Sequence, residues 1–525
     1  MKKIILIALP LLLLLLFAAY YFIGTTPDTR QEVVISIPYN EYILNIDTNY
    51  YKQWLEEQTG LSIKFNIIHE TLSDDYLRSM FASGFVTSDA FFSMLGGDDF
   101  YEWNNLIGEF GEKGYILPLN EYIDESVYLN AIYEEFTDYD LRALMTSPDG
   151  NIYYMPGFDP SISERQYQVL WLNQRWLRSL NLNVPQTLDD FRDVLNAFST
   201  GNPNGQSYRD IMPLAGSRNV QSEQIYNAII NAFIYNDPHN SRLFLESGTV
   251  QFAPMTDEWR EAMKYLSNLY KDNLVVPFAY EHNILAGIAN SPWDILGGFT
   301  SRSVTDIIFQ SNPELINAYL HIAPLIGPDG NRNATVRTPL PRPAGVITSS
   351  CQNPEAVFKL FDLMLSEEAF LIGRFGEENV DWVRAGVTDT DFYGNRAEVR
   401  VINHLRNNVQ NKNINESGPF YAYPRYADSV TFSAFDINHE YANARAYRIY
   451  EMYKPDEYIS STVFHNRPEI QALRREIDIY TEESTEAFII GSADPFDDLV
   501  WEAHLRRYKD LDIEKLINSI TEVLP

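Results

Sequence analysis

The sequence predicts an α/β fold, and three observations carry that prediction. Short apolar runs near the start alternate with amphipathic stretches, and the order strand, helix, strand, helix, strand is completed within about 60 residues, which calls for a parallel sheet with crossover helices. Gly60 and Gly84 stand where the intervening helices should stop. At 525 residues the chain is too long for one core and should divide into two or three folding units.

The elements follow in order. Lys2 and Lys3 precede an uncharged run from Ile4 to Ile23 that only Pro10 interrupts, long enough to form a hydrophobic leader helix, since about 20 apolar residues span a bilayer. Residues 1–24 therefore read as a signal peptide or membrane anchor, and bulky Tyr20, Tyr21 and Phe22 after Ala18-Ala19 favour the anchor. Positive charge before the run and negative charge after it place the bulk outside the cytoplasm. Residues 25–31 carry breakers and no periodicity, so they form a linker.

Val33 to Ile37 suits a buried strand ended by Pro38, and Tyr50 to Gln58 a helix with Trp54 and Leu55 on its inner face. Leu61, Ile63, Phe65 and Ile67 alternate with polar residues, the period of a half-buried strand. Ser73 caps a helix with Leu77, Met80 and Phe81 on one stripe, and Ala90 to Leu95 is the next strand. Further on, Thr187 with Asp190 opens a helix carrying Phe191, Val194, Leu195 and Phe198. Thr256 precedes a second such stripe, Trp259, Met263, Leu266 and Tyr270, and Asn353-Pro354 starts a third with Val357, Leu360, Phe361 and Met364.

Charge and composition narrow the function. With 72 acidic against 40 basic residues the net charge is -32, which repels nucleic acid and anionic membrane surfaces. The 34 Tyr, 30 Phe and 8 Trp supply flat amphipathic faces to a core or a sugar site. Cys351 is the only cysteine, so no disulfide forms within the chain, and it reads as a small buried hydrophobe. No Gly-x-Ser-x-Gly elbow, His-Glu-x-x-His pair or Gly-x-x-x-x-Gly-Lys loop occurs, which disfavours a nucleophilic hydrolase or a metalloenzyme.

Several blocks occur in a characteristic order: Tyr51-Lys-Gln-Trp-Leu-Glu-Glu-Gln-Thr-Gly60, Gly114-Tyr-Ile-Leu-Pro-Leu-Asn-Glu-Tyr-Ile123, Asn151-Ile-Tyr-Tyr-Met-Pro156, Trp171-Leu-Asn-Gln-Arg-Trp176, Val184-Pro-Gln-Thr-Leu-Asp-Asp190 and Ala323-Pro-Leu-Ile-Gly-Pro-Asp-Gly330. In this order the chain resembles extracellular solute-binding protein family 1, the carbohydrate-type substrate-binding proteins of bacterial ABC importers, from about Glu32 to its end. Many relatives are lipoproteins, and the absence of a cysteine near this leader departs from that pattern.

The resemblance implies a two-lobe periplasmic-binding-protein type II (Venus-flytrap) fold that needs no cofactor and no catalytic residue. Lobe 1 is expected at 32–156 with 296–346, and lobe 2 at 157–295 with 347–525. Crossings are expected near Tyr154 to Asp159, Trp293 to Thr300 and Pro343 to Thr348. A monomer, tethered extracytoplasmically at the cell surface or in the periplasm by its N-terminal segment, would grip a small-molecule ligand, most simply an oligosaccharide, and deliver it to ABC permease subunits. A membrane-tethered sugar sensor for a kinase shares the same fold, and a carboxylate-pair glycosidase needs only two placed acids.

Sugars offer apolar faces rimmed by hydroxyls, so aromatic platforms beside carboxylates, amides or guanidinium groups are the candidate ligands. By position these are Tyr39 after the first strand, Asp98 in Gly96-Gly97-Asp98-Asp99, Trp171, Trp293 with Asp294 and Phe299, Trp382, and Tyr421, Tyr423 and Arg425 of an aromatic loop. Some relatives hold structural calcium in a loop similar to Asn202-Pro-Asn-Gly-Gln-Ser-Tyr-Arg-Asp210-Ile211. Asn202 and Ile211 replace carboxylates there and Asp210 is the sole acid left, so no tight metal site is expected.

Overall fold

The computed structural model describes residues 30–524 except 70–73, 85, 93–99, 166, 206–210, 310, 406–407, 415–416 and 433–437. The leader, Asp98 and the Gln206 to Asp210 part of the calcium-like loop lie outside the described residues.

The chain opens with β1 (Gln31–Pro38), α1 (Tyr50–Thr59), β2 (Leu61–Ile68), α2 (Asp74–Ala82), β3 (Ala90–Phe92) and α3 (Phe100–Glu112), the alternation its sequence predicts. Asn49 caps α1 by accepting the amides of Tyr51 and Lys52, and Gly60 ends it in the left-handed conformation at φ 69°. Next come β4 (Met155–Phe158), β5 (Val169–Asn173), α4 (Leu188–Thr200) and α5 (Asp257–Lys271). The capping box of Thr187 and Asp190 starts α4 as expected, and Phe191, Val194, Leu195 and Phe198 are buried. The rest of the frame is β6 (Gly298–Ser301), β7 (Tyr319–Ile322), β8 (Arg342–Ile347), α6 (Pro354–Met364), β9 (Phe420–Tyr421) and the long α7 (Pro468–Ile490).

Two sheets organise two cores. The first is six-stranded, in the order β9-β4-β8-β3-β1-β2. Its β1 pairs in parallel with β2 and β3, while β8 runs antiparallel to β3 and β4. Ile35, Leu55, Phe92, Phe110 and Phe361 share the core that covers it. The second sheet places β5 between antiparallel β6 and β7, and the α4 and α5 stripes pack beside it around Trp176, Phe198 and Trp259. A further core joins α7 to the hairpin Leu243–Glu246 and Thr249–Phe252 through Leu243, Val250, Ile470 and Ile477.

These pairings correct the expected lobe boundaries. β6 and β7, expected in lobe 1 within 296–346, pair with β5 of the second sheet, and α6, expected in lobe 2, packs in the first core. Helix Asn438–Glu451 then returns to the second lobe through Ala446, Tyr447 and Tyr450. A strand's apolar pattern fixes which face is buried but not which sheet it joins, because Phe299 and Val346 carry the same local signal. The chain therefore passes from the first sheet to the second between β4 and β5 and back between β7 and β8, and it is again in the second lobe at helix Asn438–Glu451. Trp293 to Thr300 and Pro343 to Thr348 are not crossings.

Candidate functional site

A cavity of about 770 Å³ opens where the lobes meet. Asn105 of α3 lines it from the first lobe, Arg337, Thr338 and Leu340 from the second crossing, and Gln471, Arg474, Arg475, Asp478 and Glu482 from α7. Helical spacing explains the last set: these positions recur on one face of α7, while Ile470 and Ile477 face the core. The remaining wall is Tyr167, the turn 219–223, His239, His282, Arg302 and Asp306.

One side of this wall holds a buried acid. Glu223 is 2% exposed, and its Oε1 meets His282 Nδ1 at 2.7 Å. Asn219 fixes that histidine by accepting its backbone amide at 2.9 Å. Burial pushes the Glu223 carboxyl up from its usual value, against the pull of His282. Its Oε2 is buried without a hydrogen-bond partner, an unsatisfied acceptor in a residue of the cavity wall.

The opposite side is built on a network around Asp478. Buried Arg242 approaches its Oδ1 at 3.5 Å, and Ser241 donates to Oδ2 at 2.9 Å. Arg474 donates from Nε to Ser241 Oγ and from Nη2 to the His239 carbonyl, each at 2.7 Å. Ser241 and Arg242 both adopt left-handed backbone, at φ 58° and 60°, a strain that concentrates where surrounding contacts over-determine the chain. Above this network the Tyr167 hydroxyl and His239 Nε2 are buried without partners. Their rings meet edge to face at 4.6 Å. Burial, assisted by Arg337, Arg474 and Arg242, holds His239 well below the usual histidine range, so it is neutral near pH 7.

Of the ten residues expected from the sequence, Asp98 lies outside the described residues and none of the other nine lines this cavity. Trp171 and Phe299 are fully buried and face each other across β5 and β6. Trp382 is 2% exposed and donates its indole N–H to the Gly376 carbonyl at 3.0 Å, and Tyr421 is buried in the first core. Tyr423 donates to the Leu365 carbonyl at 3.0 Å, and Arg425 pairs with Glu367. Asp294 accepts from Asn173 Nδ2 at 3.1 Å and Trp176 Nε1 at 3.2 Å, which ties it to the helix Gln174–Ser179 that follows β5. Tyr39, stacked on His69 at 4.7 Å, is 58% exposed, and Trp293 is 49% exposed. The residues that line the cavity carried a weaker signal, polar groups on one face of α7 and in the turn before residue 225. Among the described residues no cluster of three acids, histidines or cysteines could hold a metal, and no helix is long and apolar enough to cross a membrane.

The architecture is that of a two-lobe solute-binding protein with its cavity between the lobes. It superposes on the fructooligosaccharide substrate-binding protein FusA of Streptococcus pneumoniae in complex with kestose, with a TM-score of 0.69 at 19% identity over 94% of this chain and 98% of that one. In sequence the chain is 27% identical over 319 residues to the fructooligosaccharide ABC transporter substrate-binding protein FusA of the same species, covering 59% of this chain and 56% of that protein. The chain thus matches little more than half the length of that relative. A shorter stretch of 108 residues is 32% identical to the polygalacturonan/rhamnogalacturonan-binding protein YtcQ of Bacillus subtilis, 20% of each chain. No family model matches. By name, the first of these relatives is a substrate-binding protein of an ABC transporter and the second a polysaccharide-binding protein.

Proposed function

We propose that this protein is the extracytoplasmic substrate-binding subunit of an ABC importer, which captures an oligosaccharide between its lobes and delivers it to membrane permease subunits. The observation that carries this reading is the cavity itself. It is large enough for several sugar units, it is bounded by both lobes, and it holds buried acceptors and donors left without partners. Glu223 Oε2 suits a sugar hydroxyl, and the Tyr167 hydroxyl suits a ring or glycosidic oxygen. Tyr39 and Trp293 offer stacking surface at the margins of the lobes, and the leader supplies the tether. The named ligands of FusA support the oligosaccharide class.

Thermal stabilisation of the purified protein across a glycan panel, with product analysis of the same samples, tests this reading. Stabilisation by an oligosaccharide without turnover supports capture. Cleavage of the glycan transfers the cavity's acids to a glycosidase mechanism, and binding with no stimulation of permease ATPase activity in proteoliposomes favours a sensor.

A further inference from the structure

The two sides of the cavity differ in what they leave unsatisfied. Glu223 offers an acceptor. The other side is richer in donors, although Asp478 Oδ1 is also buried there without a hydrogen bond. Arg337 stands in the second crossing with its backbone amide bound to the Arg165 carbonyl at 2.7 Å, and its guanidinium has no ion pair or hydrogen bond among the described residues. Arg475, one residue past Arg474 on α7, is likewise unpaired there. The Tyr167 hydroxyl and His239 Nε2, both close enough to Arg337 to feel its charge, complete the set.

Unpaired guanidinium groups are conspicuous in a chain of net charge -32, where carboxylates outnumber cations. Two acids near this side are already engaged. Asp478 is taken by Arg242, Arg474 and Ser241, and Asp237 accepts the His239 backbone amide at 2.9 Å while burial raises its pKa to about 7. Glu482, next on the same face of α7, is an exposed acid with its pKa raised by desolvation, and it lies one turn beyond Asp478. Arg302 leans on Glu164 at 3.4 Å, and Asp306 accepts the Ser303 amide in a capping box. Arg337, near a phenol and an imidazole, and Arg475 on the wall of the same cavity thus have guanidinium forks without an ion pair or hydrogen bond among the described residues, an arrangement that matches a carboxylate, whose two oxygens accept up to about four hydrogen bonds.

From this juxtaposition we infer that the Arg337, Arg475, Tyr167 and His239 side of the cavity is a carboxylate subsite, and that the captured oligosaccharide contains uronic acid. The inference rests on the carbohydrate-capture reading above and deepens it. A uronate unit would lie with its carboxylate on the guanidinium forks while a hydroxyl farther along the chain reaches Glu223. Neutral glycans would leave Arg337 without an acceptor in a partly desolvated site.

Calorimetry with galacturonate, guluronate and glucuronate trisaccharides, their methyl esters and neutral trisaccharides tests it on the intact protein. At least one uronate should bind about tenfold or more tightly than its own methyl ester, as loss of a charge-assisted contact implies. That preference should shrink as salt rises, and Arg337→Gln should abolish it while Arg337→Lys retains part. Arg475→Gln, at an exposed position on α7, repeats the test if the first variant fails to fold. Preferential binding of neutral trisaccharides, or a uronate preference unchanged in both glutamine variants, overturns the subsite and leaves carbohydrate capture standing. Absence of binding by every glycan overturns the capture reading itself.

Discussion

Asn105 of α3 donates its side-chain amide to Gln471 Oε1 of α7 at 3.2 Å, and so ties the first lobe to the second at the wall of the cavity. A second tie lies nearby: His465 Nε2 and Asn466 Nδ2 both reach the Thr146 carbonyl, at 3.1 and 2.8 Å. These contacts are made between lobes and not within either core, so they bias closure without holding up a fold. Asn105→Ala is expected to weaken oligosaccharide affinity about three- to tenfold, one hydrogen bond's worth, while changing unfolding free energy by less than about 0.5 kcal/mol because the residue is exposed. Calorimetry and denaturant unfolding on the same preparation check both halves, and a loss of stability matching the loss of affinity would refute the latch.

Glu223 gives the sharpest separation of binding from folding. Glu223→Gln keeps the shape and one acceptor but removes the charge that burial already disfavours. Thermal stability should hold or rise. Affinity should fall about 10- to 100-fold, since hydrogen bonds to a charged group are worth about 1.5–3 kcal/mol. Unchanged affinity would remove Glu223 from the site.

Much of the first lobe was legible because its elements announce themselves locally. Asn49, Gly60 and the alternating Leu61 to Ile67 each fix a boundary or a face without reference to distant residues. The second lobe's strands were legible as strands but not as partners, because β6 and β7 reach β5 only after more than a hundred intervening residues. The site was the least legible part. Large aromatics such as Trp171 and Trp382 attract attention by type, yet their size is what the cores need. Arg337 and Glu223 look like ordinary surface charge in one dimension, and only packing shows that one lacks a partner and the other is buried.

That distinction between packing and binding aromatics is itself measurable. Trp171→Ala should cost about 3–5 kcal/mol, because the ring is fully buried between Phe299 and His321 on the neighbouring strands. Trp293→Ala should stay within about 0.5 kcal/mol of the parent, as expected for a half-exposed ring. Equilibrium urea unfolding of the two variants checks the contrast. Equal losses would mean that Trp293 is packed in a way its exposure hides.

His504 makes stability fall in acid, and the sign follows from its surroundings. It is 3% exposed among Phe488, Trp501 and Tyr508, with Nε2 on the Pro254 carbonyl and Nδ1 on the Tyr480 hydroxyl, each at 3.1 Å. Burial lowers its pKa from 6.5 to about 4, with the Pro254 carbonyl opposing. The unfolded chain therefore binds a proton at a pH where the folded protein does not. This stabilising contribution is fully present above pH 6.5 and is lost as pH falls through about 4, amounting to about 3 kcal/mol in all. Asp237 and Asp428, both raised to about 7 by burial, act in the opposite direction, so the parent's own pH profile mixes the two effects. Comparison with His504→Gln isolates the histidine. The variant should be less stable at pH 7, and its deficit should shrink as pH is lowered from 6.5 to 4. Urea midpoints across that range give the answer, and a deficit independent of pH would mean that His504 does not titrate between the folded and unfolded states.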